Sequence, residues 1–291
     1  MDNQLRSLYQ ERSRESDTLG ILLIQKKEAM SPLTDGFDAI LLVISQNIQE
    51  QWYVHHYRHE EQRTQVITVN KEELNTWLAA GSNRRAVEWI LQGKILFDRN
   101  EYISSIKDRL EAFPFELRKK RLCIEFAHLI RRYQEGKDLY LAGHYLDAFN
   151  HILHALHHWA RLAVIENGFH PELTLWRQVK SIDAEVYKLY DELVSGEESL
   201  EKKIDLLLIA SEFSLASKTN LACTHLIEVM DKKVTPWEIQ ELLIETDLVE
   251  YSFDLSILLE HLIKKQIVKE VHIESQTGDF YLRAYQVVKP S

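Results

Sequence analysis

The sequence predicts an α+β multidomain protein. An N-terminal α/β domain spans 1–113, an antiparallel helical bundle spans 114–232, and a winged-helix-like module spans 233–291. Three observations carry this. Apolar runs of strand length occur in the first part and again near the C-terminus, whereas the middle shows apolar residues at helical spacing only. At 291 residues the chain exceeds one domain of ~100–200 residues. A hydrophobic fraction of 45% and a charged fraction of 27% belong to a folded chain, not a disordered one.

The N-terminal elements follow in order. Residues 2–16 are polar with few apolar positions, the pattern of a surface helix. Leu19–Ile24 is an apolar run of strand length, and Pro32-Leu-Thr-Asp-Gly36 is turn chemistry. Phe37–Ile44 is a second apolar run, interrupted only by Asp38. Trp52–Tyr57 and Thr64–Val69 are rich in β-branched and aromatic residues and predict two more strands. Asn70 predicts an N-cap for a helix to about Ala80. Ser82 is expected to cap the next helix, which ends near Gln92–Gly93, and Lys94–Asp98 is a last short strand.

In the middle, 115–141, 143–167, 172–194 and 199–230 carry the helical pattern, broken by Gly143 and by Gly168-Phe-His-Pro171. In the third part, Thr235, Pro236 and Glu238 form a helix-start signature. Helices are expected near 236–245 and 254–265. Ile267–Glu274 and Phe280–Val287 then flank Ser275-Gln-Thr-Gly-Asp279 as a hairpin.

A net charge of −10 argues against a broad basic sheath for nucleic acid. Two cysteines a hundred residues apart make neither a disulfide framework nor a cysteine metal site. No apolar run approaches the ~20 residues of a membrane span, and the N-terminus has no signal pattern. The expectation is a soluble cytoplasmic protein with no membrane partner.

The stretch Thr34–Ile44 carries the most chemistry. Residues i and i+2 of a strand face one side, so two carboxylates there can hold a divalent metal pair for phosphoryl transfer. The stretch resembles the nucleotidyltransferase superfamily, in which an apolar strand ending in Gly-Ser and a loop precede Asp-x-Asp. Asp38 matches the first acid. Ile40 stands at the second, Gln25-Lys26 replaces Gly-Ser, and Thr64–Val69 offers Gln65 and Thr68 but no third carboxylate. Gly93–Glu101 resembles the closing strand of such domains before a helix. Over its full length the chain resembles the nucleotidyltransferase-like (YgxA-like) proteins of bacilli. That resemblance implies a following substrate-binding bundle and a C-terminal helix-turn-helix module.

The resulting expectation is a degenerate nucleotidyltransferase-like protein that binds a nucleotide or partner without efficient transfer. Asp38 is its surviving acid, with Lys26, Lys27 and Asp35 as nucleotide contacts. No cofactor is expected. Mg2+ enters only in the alternative, an active transferase using Asp38 with Asp35 or Asp98. A second alternative is a regulatory protein acting through the winged helix. Acid outnumbers base in that module, and Lys264 and Lys265 lie only at the end of its second helix, so it is read as protein-docking rather than DNA-reading.

His151, His154 and His158 share a helical face at i, i+3 and i+7. A metal there needs ligands from elsewhere, so His154 and His158 are read as core histidines and no metal site is assigned. In the family the bundle lines the substrate cleft, which makes Tyr140, Tyr145 and His151 the cleft candidates. Arg161 and His170 are too far apart for the Arg-His pattern of HEPN ribonucleases. The run Arg118–Arg121 is read as a solvated helix face, with a phosphate patch as the alternative.

Overall fold

The computed structural model describes residues 2–26, 32–81, 83–274 and 280–289. The chain forms two compact units: residues 1–114 with 170–174, and residues 115–169 with 175–291.

The first unit contains α1 (Asp2–Ser13), β1 (Thr18–Gln25), β2 (Ala39–Ser45), β3 (Trp52–His59), β4 (Gln62–Asn70), α2 (Lys71–Ala80), α3 (Arg84–Gln92), β5 (Lys94–Asp98) and α4 (Tyr102–Ala112). The sheet order is β3-β4-β2-β1-β5. Only β2 and β4 pair in parallel. β1 and β2 read as near-continuous apolar runs because both their faces are covered. Period-two alternation divides their side chains. Leu22, Ile24, Ile40, Leu42 and Ile44 pack with Leu74, Ile90 and Ile103 of α2, α3 and α4. Ile21, Leu23, Leu41, Val43 and Val66 pack with Leu5 of α1, flanked by Leu8 and Tyr9. The few apolar residues of α1 thus fall at i, i+3 and i+4, enough for one buried stripe.

The caps explain the boundaries. Asn70 Oδ1 accepts from the Glu72 amide at 2.9 Å, as its position predicts. The side chain that caps α3 is Asn83, whose Oδ1 accepts from the Ala86 amide at 3.1 Å; Ser82, the expected cap, lies outside the described residues. Sequence alone leaves 99–113 unassigned apart from the helix the family resemblance implies. α4 starts there because Asp98 accepts from the Ile103 amide (2.8 Å), the Ser104 amide (3.0 Å) and the Ser104 hydroxyl (2.7 Å). Residues 170–174 join this unit through His170, stacked 3.8 Å from Phe113, and through the Leu173 amide, which donates to Glu88 at 2.7 Å.

The second unit contains α5 (Phe115–Leu141), α6 (Tyr145–Glu166), α7 (Leu175–Ile182), α8 (Ala184–Ser195), α9 (Leu200–Ala222), α10 (Thr224–Met230), β6 (Trp237–Glu238), α11 (Ile239–Leu243), α12 (Leu255–Lys264), β7 (Val268–Glu274) and β8 (Tyr281–Val287). α5 and α6 form a long hairpin that turns at Gly143, whose φ of +80° suits glycine. At Gly136 a Cβ would stand 2.7 Å from Ile152, so a missing side chain permits the close approach of the two helices. The helix expected over 172–194 divides at Asp183, which caps α8 by accepting from the Val186 amide at 3.1 Å. The one over 199–230 breaks at Cys223.

The C-terminal helix start is a correction. Trp237 and Glu238 pair with Tyr285 and Ala284 as a short strand, so the helix begins at Ile239. Its capping box is Glu238 with Glu241, not Thr235 with Glu238. β6, β8 and β7 form the three-stranded sheet expected of a wing. The hairpin turn 275–279 lies outside the described residues.

The basic run at the start of α5 is neither a solvated face nor an open patch. Lys119 pairs with Glu116 and Glu228, and Lys120 pairs with Glu250 at 2.9 Å. Arg118 donates to the Glu166 carbonyl at 3.2 Å, and Arg121 is buried. Four consecutive cations are taken up inside the unit.

Candidate functional site

Asp38 stands at the corner of the first sheet where β1 ends and β2 begins. Gln25 pairs with Ala39, and the Lys26 amide donates to the Asp38 carbonyl at 3.0 Å. The loop therefore delivers Asp38 beside the end of β1. Its carboxylate accepts from the Arg63 amide at 2.8 Å. Asp35 is in the same turn but pairs with Arg85, while Arg63 Nη2 donates to the Gly36 carbonyl at 2.7 Å. Ile40 is fully buried beneath the helices, where a carboxylate would be desolvated without a partner. Gln65, on the adjacent strand, lies 3.2 Å from His56 Nε2.

Asp98 does not join this corner. It pairs with Gly20, whereas Asp38 stands beyond Gln25. Six residues, from Gly20 to Lys26, at ~3.3 Å each place the two acids roughly 20 Å apart along β1. Of the expected nucleotide contacts, Lys26 is here and Lys27 lies outside the described residues. The corner holds Lys26, Asp35 and Asp38 together, but its two carboxylates each face a fixed donor.

The histidine stripe diverges once it is folded. His151 Nδ1 is 2.9 Å from Glu135, His154 is exposed, and His158 turns inward. The Tyr140 and Tyr145 rings lie 5.5 Å apart, tilted by 57°, at the hairpin turn, and the Tyr145 hydroxyl donates to Glu201 at 3.3 Å. His157 is satisfied within the core. Its Nδ1 donates to the Leu153 carbonyl at 2.9 Å, and its Nε2 accepts from Trp176 at 3.1 Å.

Inward of the stripe, Glu125, His128 and His158 have ligand-type atoms within 4.8 Å of one another. Arg161 Nε lies 2.9 Å from both Glu125 oxygens, and His158 Nδ1 lies 2.7 Å from Glu125 Oε2. Burial alone would raise the Glu125 pKa. The Arg161 charge and the His158 hydrogen bond outweigh it and hold the carboxyl down to about 2. Burial pushes His158 downward, toward the neutral imidazole. His128 is 3.2 Å from Asp254, which also receives Arg131. Arg161 and His158 both engage the Glu125 carboxylate, so these side chains form a largely buried ion-pair network.

A third place is absent from the sequence reading. A cleft of about 780 Å3 opens between α6, α8 and α9. Trp159, Val186, Leu189, Ile209 and Phe213 form its walls. The Ser214 hydroxyl, on a residue only 2% exposed, has no hydrogen-bond partner there. Asp183, Glu185, Lys188, Glu192 and Lys218 stand at the rim. A signal was available in α9. Ile204, Leu207, Leu208 and Leu215 are buried, while Leu206, Ile209 and Phe213 repeat at i, i+3 and i+7 on an outer face. A helix apolar on two faces has a second surface to cover.

The C-terminal module places no cationic stripe on α12. Its exposed positions include Ser256 and Lys264, and Glu260 pairs with Arg283 at 2.6 Å. Burial, reinforced by Lys265 and Lys264, lowers His261 to about 4, and His261 Nε2 lies 2.9 Å from Thr219 Oγ1.

Three family models match consecutive segments of the chain. Residues 1–118 match a nucleotidyltransferase-like domain, 119–218 a YgxA-like substrate binding domain and 224–287 a helix-turn-helix domain. The chain is 43% identical over 289 residues to the uncharacterized protein YgxA of Bacillus subtilis (strain 168), covering 99% of this chain and 98% of that one. The crystal structure of a nucleotidyltransferase-like protein from Exiguobacterium sibiricum 255-15 superposes with a TM-score of 0.86 at 38% identity, over 99% of this chain and 100% of that one. No helix among the described residues is long and apolar enough to cross a membrane. With three consecutive domain matches and a full-length relative, the chain belongs to the YgxA-like family of nucleotidyltransferase-like proteins.

Proposed function

We propose that this protein binds a small ligand without metal-dependent nucleotidyl transfer, and that the ligand sits in the cleft between α6, α8 and α9. One observation carries the first half. Ile40, the position that would have to supply the second metal carboxylate, is fully buried in the apolar core. Asp38 alone cannot clamp two metal ions, and Asp98 is engaged at the other end of β1 as the cap of α4.

The bundle cleft supports the second half. Its volume lies within the ~300–1,000 Å3 typical of small-molecule sites. Its walls, Trp159, Val186, Leu189, Ile209 and Phe213, suit an apolar or aromatic body. At the rim, acids outnumber bases, Lys218 pairs with Glu166, and Lys188 stands 3.7 Å from Glu192. A triphosphate is therefore a poor fit, and a largely neutral aromatic molecule is a good one.

The test is calorimetric titration with ATP, GTP, CTP and UTP, with and without magnesium, on the wild type and Asp38→Ala. The expected result is no magnesium-dependent binding in either protein. Tight magnesium-dependent binding that disappears in Asp38→Ala would overturn the reading and restore the transferase.

A further inference from the structure

The outer face of α9 carries an apolar stripe that is open to solvent. α9 packs against α5 and α6, and Ile204, Leu207, Leu208 and Leu215 are buried. On its other side Leu206, Ile209 and Phe213 recur at i, i+3 and i+7 and are 54%, 62% and 78% exposed. They run for two turns, ~10 Å along the helix axis. Ile209 and Phe213 also belong to the wall of the bundle cleft, whereas Leu206 lies outside it. A surface helix of a folded protein normally turns such a stripe toward another element.

Acids frame the stripe on both flanks. Toward α5, Asp205 lies beside Tyr140, and Glu212 lies beside Tyr133 and Lys137. Glu201, one turn before Asp205, accepts from the Tyr145 hydroxyl. Toward α8, Glu185 and Glu192 stand at the cleft rim. Residues 184–213 hold eight acids and three lysines, which is half of the chain's net charge of −10 in a tenth of its length. The three lysines are already engaged. Lys202 pairs with Glu198 at 2.8 Å, Lys203 donates to the Leu193 carbonyl at 3.0 Å, and Lys188 stands 3.7 Å from Glu192.

Charge and shape together select the partner. A second copy meeting this face across a two-fold axis would set acid against acid, and like charges oppose that contact. Nucleic acid and anionic lipid are repelled for the same reason. A cationic segment without apolar side chains would leave Leu206, Ile209 and Phe213 in water. A helix with apolar residues at the same spacing and Lys or Arg on both flanks meets the stripe and the acids at once. Such a helix also has a natural seat. α5, α6 and α9 are long bundle helices of 27, 22 and 23 residues, so an added helix along α9 extends the bundle by one member. We infer that the outer face of α9 docks a basic amphipathic helix of a protein partner. The stripe is short, so the complex is weak and reversible. Docking goes beyond the cleft ligand and does not depend on it.

The experiment titrates the full chain calorimetrically with a synthetic helical peptide of about 18 residues, leucines forming one face and lysines the rest. One control peptide replaces the lysines by glutamates, and another keeps the composition in scrambled order. The protein variants are Leu206→Gln and the pair Asp205→Asn with Glu212→Gln, all at exposed positions that folding does not need. The lysine peptide is expected to bind saturably in the micromolar range, and neither control should. Leu206→Gln should weaken binding about tenfold, and the acid pair about fivefold with a flatter dependence on salt. Leu206→Gln should leave the fluorescence of anilinonaphthalene sulfonate in the cleft unchanged, which keeps a failure here distinct from a failure of the cleft reading. No binding of the lysine peptide, equal binding of either control, or variants that bind like the wild type would overturn the assignment. So would loss of the cleft fluorescence in Leu206→Gln, which would move the effect to the cleft. Sedimentation that shows a dimer dissociated by Leu206→Gln would overturn it too, by seating a second copy on the stripe.

Discussion

Replacing Glu125 by glutamine keeps the shape of the side chain and removes its charge. The Arg161 guanidinium is then left in a half-dry site, with the carboxylate that neutralised it gone. The magnitude follows from the carboxyl itself. Its ordinary value is 4.5 and the folded environment holds it at about 2, because Arg161 and His158 together outweigh the effect of burial. At 1.36 kcal/mol per pKa unit, that gap corresponds to roughly 3 kcal/mol. The Glu125 side chain is only 18% exposed, so solvent screens little of it. Breaking one partner of a buried pair elsewhere gives a similar ~3–5 kcal/mol. For a unit of this size, where each kcal/mol moves the melting temperature by about 2–4 °C, the variant should melt roughly 6–12 °C lower at pH 7.

The pH dependence has a definite sign. A depressed carboxyl contributes stability that is complete above its unfolded value and is lost as pH falls through the folded one. The wild-type advantage over Glu125→Gln should therefore hold at pH 7, shrink below about 4.5 and be gone near 2. Thermal unfolding followed by circular dichroism across pH 7 to 2.5 measures it. A gap under ~2 °C at pH 7, or one that does not change with acid, would refute the claim that Glu125 is held by charge pairing.

Three further outcomes are expected. Ile40→Asp, which writes the second acid into the sequence, should yield a chain that fails to fold and gains no magnesium affinity; several kcal/mol of buried unpaired carboxylate is measurable as loss of soluble, cooperatively melting protein. Asp98→Ala removes the acceptor of three hydrogen bonds that start α4 and should lower stability by ~1–2 kcal/mol in urea titration; Asp98→Asn keeps one acceptor oxygen but sets an NH2 against a backbone N–H, and should recover only part of it. Phe213, 78% exposed at the mouth of the bundle cleft, can become alanine with little change in melting temperature. The fluorescence enhancement of anilinonaphthalene sulfonate, an aromatic probe for the cleft, should fall in that variant; unchanged enhancement would move the ligand site elsewhere.

Much of the architecture is legible in the residues. β1 and β2 are continuous apolar runs because both faces are buried, and Asn70 announces α2 because its side chain is the acceptor that the helix start lacks. The helical pattern of the middle and the helix-then-hairpin order of the end were likewise visible. Boundaries were less so. Thr235, Pro236 and Glu238 match a helix start in spacing, but Trp237 and Glu238 are drawn into a strand by β8, a partner about fifty residues away in the chain. Asp183 divides a helix that periodicity shows as one, because local capping competes with a pattern that both halves continue.

The sites follow the same line. The missing second acid at Ile40 could be read from sequence, since strand period alone decides which residue shares a face with Asp38. The fate of the histidines could not. His151, His154 and His158 share one helical face on paper, yet one pairs with Glu135, one is exposed and one joins Glu125 and Arg161, because the neighbouring helix offers a different partner at each turn. The basic run of α5 was read as a solvated face because its acidic partners, Glu228 and Glu250, lie more than a hundred residues later. The bundle cleft needs three helices in place. Sequence by itself determined which elements form and which chemistry is missing. Tertiary structure alone decided which side chains meet, because contacts between distant segments depend on register and packing that no local pattern encodes.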